Sequence, residues 1–343
     1  MNKPTVFLGM PDHMGIYRSM QANLEHHGFN VIYLVSNPRT FRYPSLTARL
    51  GVKFRKLVLR DKYAKQKLQA AVFHQNILST LDAVGQADYA LFIRGDLYAP
   101  ELLAEIRRRI RRTMANYQWD GMNRYPDIWR TVSNFDRFYV FDPADLQPNG
   151  NFLPLTNFYF DYPAAQTDET HADFYFVGSH LPQRSGVIAE FGHQARAHGW
   201  TLDFNIVCAA KEEKACRALY PDNIKLSTLT ADYAENLQHA ARAKVLVDFK
   251  TPVHNGLSFR AFEALGYRKK LITTNAETAK YDFYHPDNIF IWDGKTFDGI
   301  DDFLKRPYHE IAPEIREKYS FGNWIRYVLD IPPYQPITLP EAG

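Results

Sequence analysis

Short apolar runs alternate with segments of helical periodicity along almost the whole chain, and no other feature restricts the fold as much. Thr5–Leu8 reads as a strand ending at Gly9, Ile16–His27 as a helix before Gly28, and Phe29–Val35 as the next strand. A strand–helix–strand start implies a parallel sheet, since a helix must carry the chain back before the next strand can run the same way. Ligands of such sheets sit at the carboxyl ends of the strands, which puts the loop Met10–Gly15 on the functional rim.

The pattern continues through a strand at Phe54–Leu59, a helix at Ala64–Val84, a strand at Tyr89–Ile93, a helix at Pro100–Ile110, and strands at Thr113–Tyr117 and Arg137–Phe141. Pro143, Pro148, Asn149, Gly150, Pro154 and Pro163 then interrupt it. A first domain is therefore expected over 1–155 and a linker over 156–168. A second series follows, with strands at Phe174–Val177, Leu202–Val207, Ile224–Leu226, Lys244–Phe249 and Lys270–Thr274. Helices are expected between them at Ser185–His198, Glu212–Leu219, Ala231–Ala241 and Leu257–Tyr267. This makes 169–312 a second open α/β unit, while 313–343, a long helix at Pro313–Leu329 and a proline-rich tail, is expected to pack back on the first domain.

Length agrees, because 343 residues make about two domains at the usual ~150 residues each. A hydrophobic share of 45% and a charged share of 23% exclude disordered, fibrous and coiled-coil classes. The net charge of +3 is too small for a dedicated nucleic-acid binder. Cys208 and Cys216 are the two cysteines, at a spacing that suggests neither a disulfide framework nor a zinc site, so a reducing cytoplasm is the expected compartment. Met1–Met10 lacks a signal-peptide pattern and no apolar window approaches the ~18 residues of a membrane span. Any membrane contact is then peripheral.

The most informative stretch is Val245–Asn275, VLVDFKTPVHNGLSFRAFEALGYRKKLITTN. A buried strand leads into a polar loop with Lys250, His254 and Asn255. The loop ends at Gly256, and a helix carrying Ser258, Arg260 and Glu263 follows. The free N–H groups and positive dipole end of that helix favour a phosphate. A second element at the rim is Phe176–Val177–Gly178–Ser179–His180 with Arg184 before a helix, where glycine lets backbone approach an anion. The competing readings are structural: Arg260 and Glu263 as a solvated pair at three-residue spacing, Lys250 as a solvated loop lysine, and Gly178 and Ser185 as turn and cap.

The first stretch resembles the donor-binding motif of GT-B glycosyltransferases, and its G-L-S-x-R-x-F-E-A-L-G form is most similar to the CgeB-like and bacterial surface-polysaccharide enzymes. That resemblance implies two Rossmann-like α/β domains facing a cleft. It further implies that Glu263 grips the ribose of a nucleotide sugar, while the loop before it, the helix start and Arg184 hold the diphosphate. A carboxylate suits two vicinal hydroxyls because it accepts at both oxygens. Many retaining members carry a second glutamate where this chain has Asn255, a departure that bears on stereochemistry and not on the nucleotide.

The acceptor side must then come from the first domain, at its strand ends. Asp12 and His13 follow the first strand, Arg94 and Asp96 the third, and Trp119, Asp120, Asn123 and Arg124 the fourth. Asp120 is the first choice for a catalytic base, since it lies beside a ring on which a sugar can stack, with Asp96 and His13 next. Its competitor is an ordinary Asp–Gly turn. Arg107, Arg108, Arg109, Arg111 and Arg112 form a basic cluster, solvated or held against anionic lipid. No DxD, GxGxxG, GxxxxGK[ST] or HExxH motif occurs, so no metal and no cofactor beyond the donor substrate is expected. The expected partners are a nucleotide sugar and a glycan or lipid-linked glycan acceptor. An epimerase of the same fold would need no acceptor, and a non-catalytic binding module would show no turnover.

Overall fold

The computed structural model describes residues 3–35, 41–146, 150–163 and 169–341. Pro148, Asn149 and the linker stretch 164–168, used above to place the boundary, lie outside them.

The first sheet is built from β1 (Thr5–Gly9), β2 (Asn30–Tyr33), β3 (Tyr89–Ile93), β4 (Met114–Gln118), β5 (Arg137–Val140) and β6 (Phe152–Pro154). Its order is β2-β1-β3-β4-β5-β6 with every pair parallel. Helices α1 (Ile16–His26), α2 (Leu46–Leu57), α3 (Ala64–Val84) and α4 (Pro100–Arg108) connect it. The second sheet takes β7 (Ala172–Ser179), β8 (Leu202–Val207), β9 (Lys225–Ser227), β10 (Ala243–Asp248), β11 (Lys270–Thr273) and β12 (Ile289–Ile291), in the order β12-β11-β10-β7-β8-β9, again all parallel. Its helices are α5 (Pro182–Ala197), α6 (Glu213–Arg217), α7 (Tyr233–Ala241), α8 (Phe259–Gly266) and α9 (Ile300–Lys305). These are two Rossmann-like α/β domains.

Each strand order reverses once, between β1 and β3 in the first sheet and between β7 and β10 in the second. At such a switch the crossover helices leave to opposite faces and open a crevice at the carboxyl ends. Two crevices therefore face each other. Central strands such as Val6–Leu8 and Tyr89–Ile93 are buried on both sides, which is why they read as unbroken apolar runs and not as alternating ones.

The chain ends in α10 (Pro313–Lys318) and α11 (Phe321–Leu329), and α11 packs on the first sheet. Trp324 donates to the Thr156 carbonyl at 3.0 Å and the Tyr139 hydroxyl donates to the Tyr327 carbonyl at 2.9 Å. Phe158, from the segment between the sheets, meets Phe160, Phe259, Phe321 and Trp324, so one apolar core runs across both domains.

Three expectations need correction. Residues 54–59 are not a strand: Phe54–Leu57 closes helix α2, whose start is fixed by the Ser45 hydroxyl accepting from the Ala48 N–H at 3.0 Å. The single helix expected at Pro313–Leu329 is two, because Tyr159 bridges to Ser320 and the Ser320 hydroxyl caps a new helix at the Asn323 N–H. The three-residue strands β6 and β12 and the one-and-a-half-turn α9 were not expected, being too short to show a period.

Candidate active site

A cleft of about 520 Å³ opens between the two carboxyl edges. The first domain lines it with His13, Arg94, Trp119, Asp120 and Arg124, and the second with Arg184, Lys250, His254, Ser258, Arg260 and Glu263. Residues read separately in the sequence thus share one site. Asp12, Asp96, Asn123, Gly178 and Asn255 are outside its lining.

On the first-domain wall every cation meets a carboxylate. Arg94 leaves β3 with left-handed backbone (φ 65°), grips Asp96 through two bonds of 2.7 and 2.6 Å and covers the Tyr125 ring. Asp96 is taken up by that guanidinium and lies outside the cleft lining, so its candidacy as a base is not supported by its geometry. Asp120 accepts from Arg124 at 2.6 Å, lies 3.9 Å from Arg94 and still faces the cleft. Trp119 stands at right angles to Phe259 across the domain junction and is half-buried in the cleft lining. His13 lies exposed on the loop before α1, next to Met14, whose carbonyl accepts from the Tyr233 N–H at 2.7 Å. Arg18 and Asp232 join the same two domains at 2.6 Å.

The second-domain wall differs. Arg184 reaches back from α5 over the end of β7, donating to the carbonyls of Ser179 at 2.8 Å and Phe249 at 3.3 Å. Its Nε is buried without a hydrogen-bond partner. Burial pulls this guanidinium below the ordinary arginine value, against the weaker opposing effect of Asp248 and Tyr220. Gly178 is what lets it lie there, since a Cβ at that position would come within 2.7 Å of Nη2.

Beneath Arg184 is a polar floor. Glu263 is 2% exposed; one oxygen accepts from the Tyr233 hydroxyl at 2.6 Å and the other pairs with Arg260 at 2.5 Å. Arg260 stacks on Tyr175, whose hydroxyl donates to Asn236 at 3.4 Å, and the Asn236 amide nitrogen is buried unpartnered. Burial, followed by the charge of Glu263, raises Tyr233 well above the usual phenol range, so it stays a donor. The solvated-pair reading of Arg260 and Glu263 fails on this burial.

The loop after β10 is held by both domains. His254 packs against Phe141, and its Nδ1 lies 3.1 Å from the Gly256 carbonyl. A carbonyl partner requires Nδ1–H, which leaves Nε2 as the acceptor. Burial lowers the His254 imidazole below its usual value, only partly offset by Asp120 and Asp142. Lys250 donates to Asn255 at 3.0 Å, and the Asn255 N–H donates to Asp142 of the first domain at 3.1 Å. Asn255 is thus a latch between domains. Gly256 packs within 2.3 Å of Phe141, measured from a built Cβ, so its smallness serves the domain contact. The Ser258 hydroxyl donates to Asp248 at 2.7 Å, and the first backbone N–H groups of α8, which follow it, have no partner within the helix and suit an anion.

Asn157, Tyr233, Asn236 and Asp142 were missed by sequence reasoning. Asn157, in the segment between the domains, accepts from the Tyr117 hydroxyl at 2.9 Å and donates to the Leu257 carbonyl at 2.9 Å, tying the α8 start to the first sheet. Among the described residues no cluster of His, Cys, Asp and Glu is arranged to hold a metal. Among the described residues no helix is long and apolar enough to cross a membrane.

No family model matches the chain, and no curated protein matches it. Among solved structures it is similar to a UDP-GlcNAc 2-epimerase from Neisseria meningitidis bound to UDP-GlcNAc, at 9% identity over 95% of this chain and 98% of that one, with a TM-score of 0.49. A glycosyltransferase from Rickettsia africae gives 10% identity over 96% and 95%, with a TM-score of 0.47. AviGT4, a glycosyltransferase involved in avilamycin A biosynthesis, gives 10% over 95% and 98%, with a TM-score of 0.45.

Proposed function

We propose that the protein is a GT-B glycosyltransferase, similar to the CgeB-like type, that transfers a sugar from a nucleoside-diphosphate sugar to a glycan or glycolipid acceptor of a cell-surface polysaccharide. In this reading 169–312 is the donor domain and 1–155 the acceptor domain. The observation that carries it is Arg184, a half-buried cation among carbonyls, with its Nε buried and unpartnered, at the switch between β7 and β10. A desolvated positive group without a carboxylate partner favours an anionic ligand, and the N–H groups opening α8 add donors on the same side. A ribose would sit deeper, over Glu263, Arg260 and Tyr233. Glu263 keeps acceptor capacity there, because a carboxylate offers about four lone-pair directions and two are used.

Asp120 is the proposed base, facing the donor wall from the acceptor domain, and transfer would proceed without a metal as the departing diphosphate is stabilised by Arg184 and Lys250. One observation favours a second base: His254 has its Nε2 lone pair free of the Gly256 bond and is held neutral by burial. The test is a panel of nucleosides, nucleoside diphosphates and nucleotide sugars screened by thermal shift. A diphosphate at a hundred times its Kd should stabilise the protein by ~2.7 kcal/mol and the matching nucleoside by much less. Equal shifts from both would remove the diphosphate site. Product analysis with donor alone separates transfer from epimerisation, since an epimerase converts the sugar with no acceptor present.

A further inference from the structure

An exposed apolar surface lies on the first domain, outside the lining of the cleft. Leu46, Leu50, Phe54 and Leu57 on α2 are 77%, 61%, 57% and 80% exposed, and Val58, Leu59 and Tyr63 beyond it are exposed as well. At 100° per residue the four helical positions fall within an arc of about 80°, so they form one stripe. Val52 is the one buried side chain of this twelve-residue helix, and α3 is what it packs on. A soluble protein gains nothing from displaying such a stripe to water.

Charge says what covers it. Residues 41–70 hold nine lysines and arginines and one aspartate, a charge of +8 in a chain whose total is +3, so all other residues together sum to −5. The lone aspartate, Asp61, is taken up by Lys67 at 2.9 Å. Arg49, Lys53 and Lys56 line one flank of the apolar stripe on α2. The basic cluster at Arg107–Arg112 is different: Arg107 pairs with Asp136, Arg108 and Arg109 with Glu105, Arg109 also with Asp82, and Arg111 lies near Asp88. Those four arginines are answered by acids, which favours the solvated reading of that cluster over contact with lipid.

We propose that α2 and the turn after it lie in the interface of an anionic lipid bilayer, with the leucine stripe among the acyl chains and the lysines and arginines at the headgroups. Topology gives this a use. The helix follows the carboxyl end of β2, the edge that also carries Arg94 and Asp120. Moreover α3, about 31 Å long against about 17 Å for β3, overruns the sheet so that residues 64–72 stay outside the core cluster. A bilayer on α2 is thus on the acceptor-domain side of the rim. The inference does not depend on the glycosyltransferase reading, and its test needs no turnover.

The test is flotation of the full-length protein with vesicles of phosphatidylcholine and phosphatidylglycerol in equal parts, and with phosphatidylcholine alone. Binding to the anionic vesicles is expected to exceed binding to the neutral ones by about tenfold or more and to fall with added salt. Combined Leu50→Ser, Phe54→Ser and Leu57→Ser should cut it about tenfold, as should Lys53→Glu with Lys56→Glu, while Arg108→Ala with Arg111→Ala leaves it unchanged. These are exposed positions, so unchanged melting curves will show that the variants fold. Absence of vesicle binding, binding unaffected by the α2 variants, or a dimer in sedimentation that the serine variant dissolves without any lipid binding would each overturn the proposal.

Discussion

The two walls of the cleft carry similar residue types, and each holds paired charges, but the second adds a cation that no carboxylate answers. On the first-domain wall Arg94 and Arg124 are matched by Asp96 and Asp120. On the second-domain wall Arg184 is set among carbonyls with a nitrogen to spare, and the start of α8 stands beside it. A matched network positions its members and orients neutral, hydroxyl-rich ligands. An unmatched buried cation is stable only if an anion completes it or if carbonyls dilute its charge. Formal charge therefore says less about ligand preference than whether the charges are already answered, and the same distinction separates α2 from the Arg107–Arg112 cluster.

The sharpest way to break the comparison is to remove basicity from the first wall alone. Asp120→Asn keeps the shape and a contact to Arg124, so kcat should fall by ~10²- to 10⁴-fold with donor affinity held. Near-normal kcat would move the role to His254 or His13. Next comes the polar floor. Glu263→Ala would strand Arg260 and the Tyr233 hydroxyl in a buried site, so the ligand-free protein should lose about 3 kcal/mol or more in denaturant titration. Glu263→Gln, which can still accept from Tyr233, should lose less. If alanine proved harmless, the pair would be solvated after all.

A smaller effect concerns pH. His254 in the folded protein has its imidazole lowered by burial, whereas in the unfolded chain it titrates near ~6.5. As pH falls through that value the unfolded state takes up a proton that the folded state refuses, so stability declines with acid below ~6.5 and levels once the folded imidazole also protonates. His254→Gln should flatten this part of the stability–pH curve; an unchanged slope would place the titrating group elsewhere. The smallest expected effect is none: turnover should persist in excess EDTA, and loss restored by Mg²⁺ or Mn²⁺ would overturn metal-independent transfer.

How much of this was legible follows from which interactions are local. β1, β3 and β10 were readable because both of their faces are covered, and burial on both faces writes an apolar run. Phe54–Leu59 misled because its β-prone residues sit on a helix stripe whose cap, Ser45, lies nine residues upstream. In the site, Arg184, Lys250 and His254 were found because each follows a strand end within about six residues, and Arg260 and Glu263 because they lie in the G-L-S-x-R-x-F-E-A-L-G stretch of the helix after β10. Tyr233, Asn157 and Asp142 were not, because their partners lie 30, 100 and 113 residues away. A signal existed for Tyr233: Asp232 is a helix-capping residue, and its side chain does accept from the Ala234 N–H at 3.0 Å. The contacts of Gly256, Ser258 and Asn255 were hidden for the same reason, since what they touch belongs to the other domain or to the strand beneath.

The central claim is that the second wall is an anion site built around Arg184. Isothermal titration of a nucleoside diphosphate into the protein and into Arg184→Met measures it directly. The account expects binding by the first, a Kd weakened roughly 30- to 1,000-fold in the second, equivalent to about 2–4 kcal/mol, and little binding of the free nucleoside by either. Equal affinity of the two proteins for the diphosphate would contradict it.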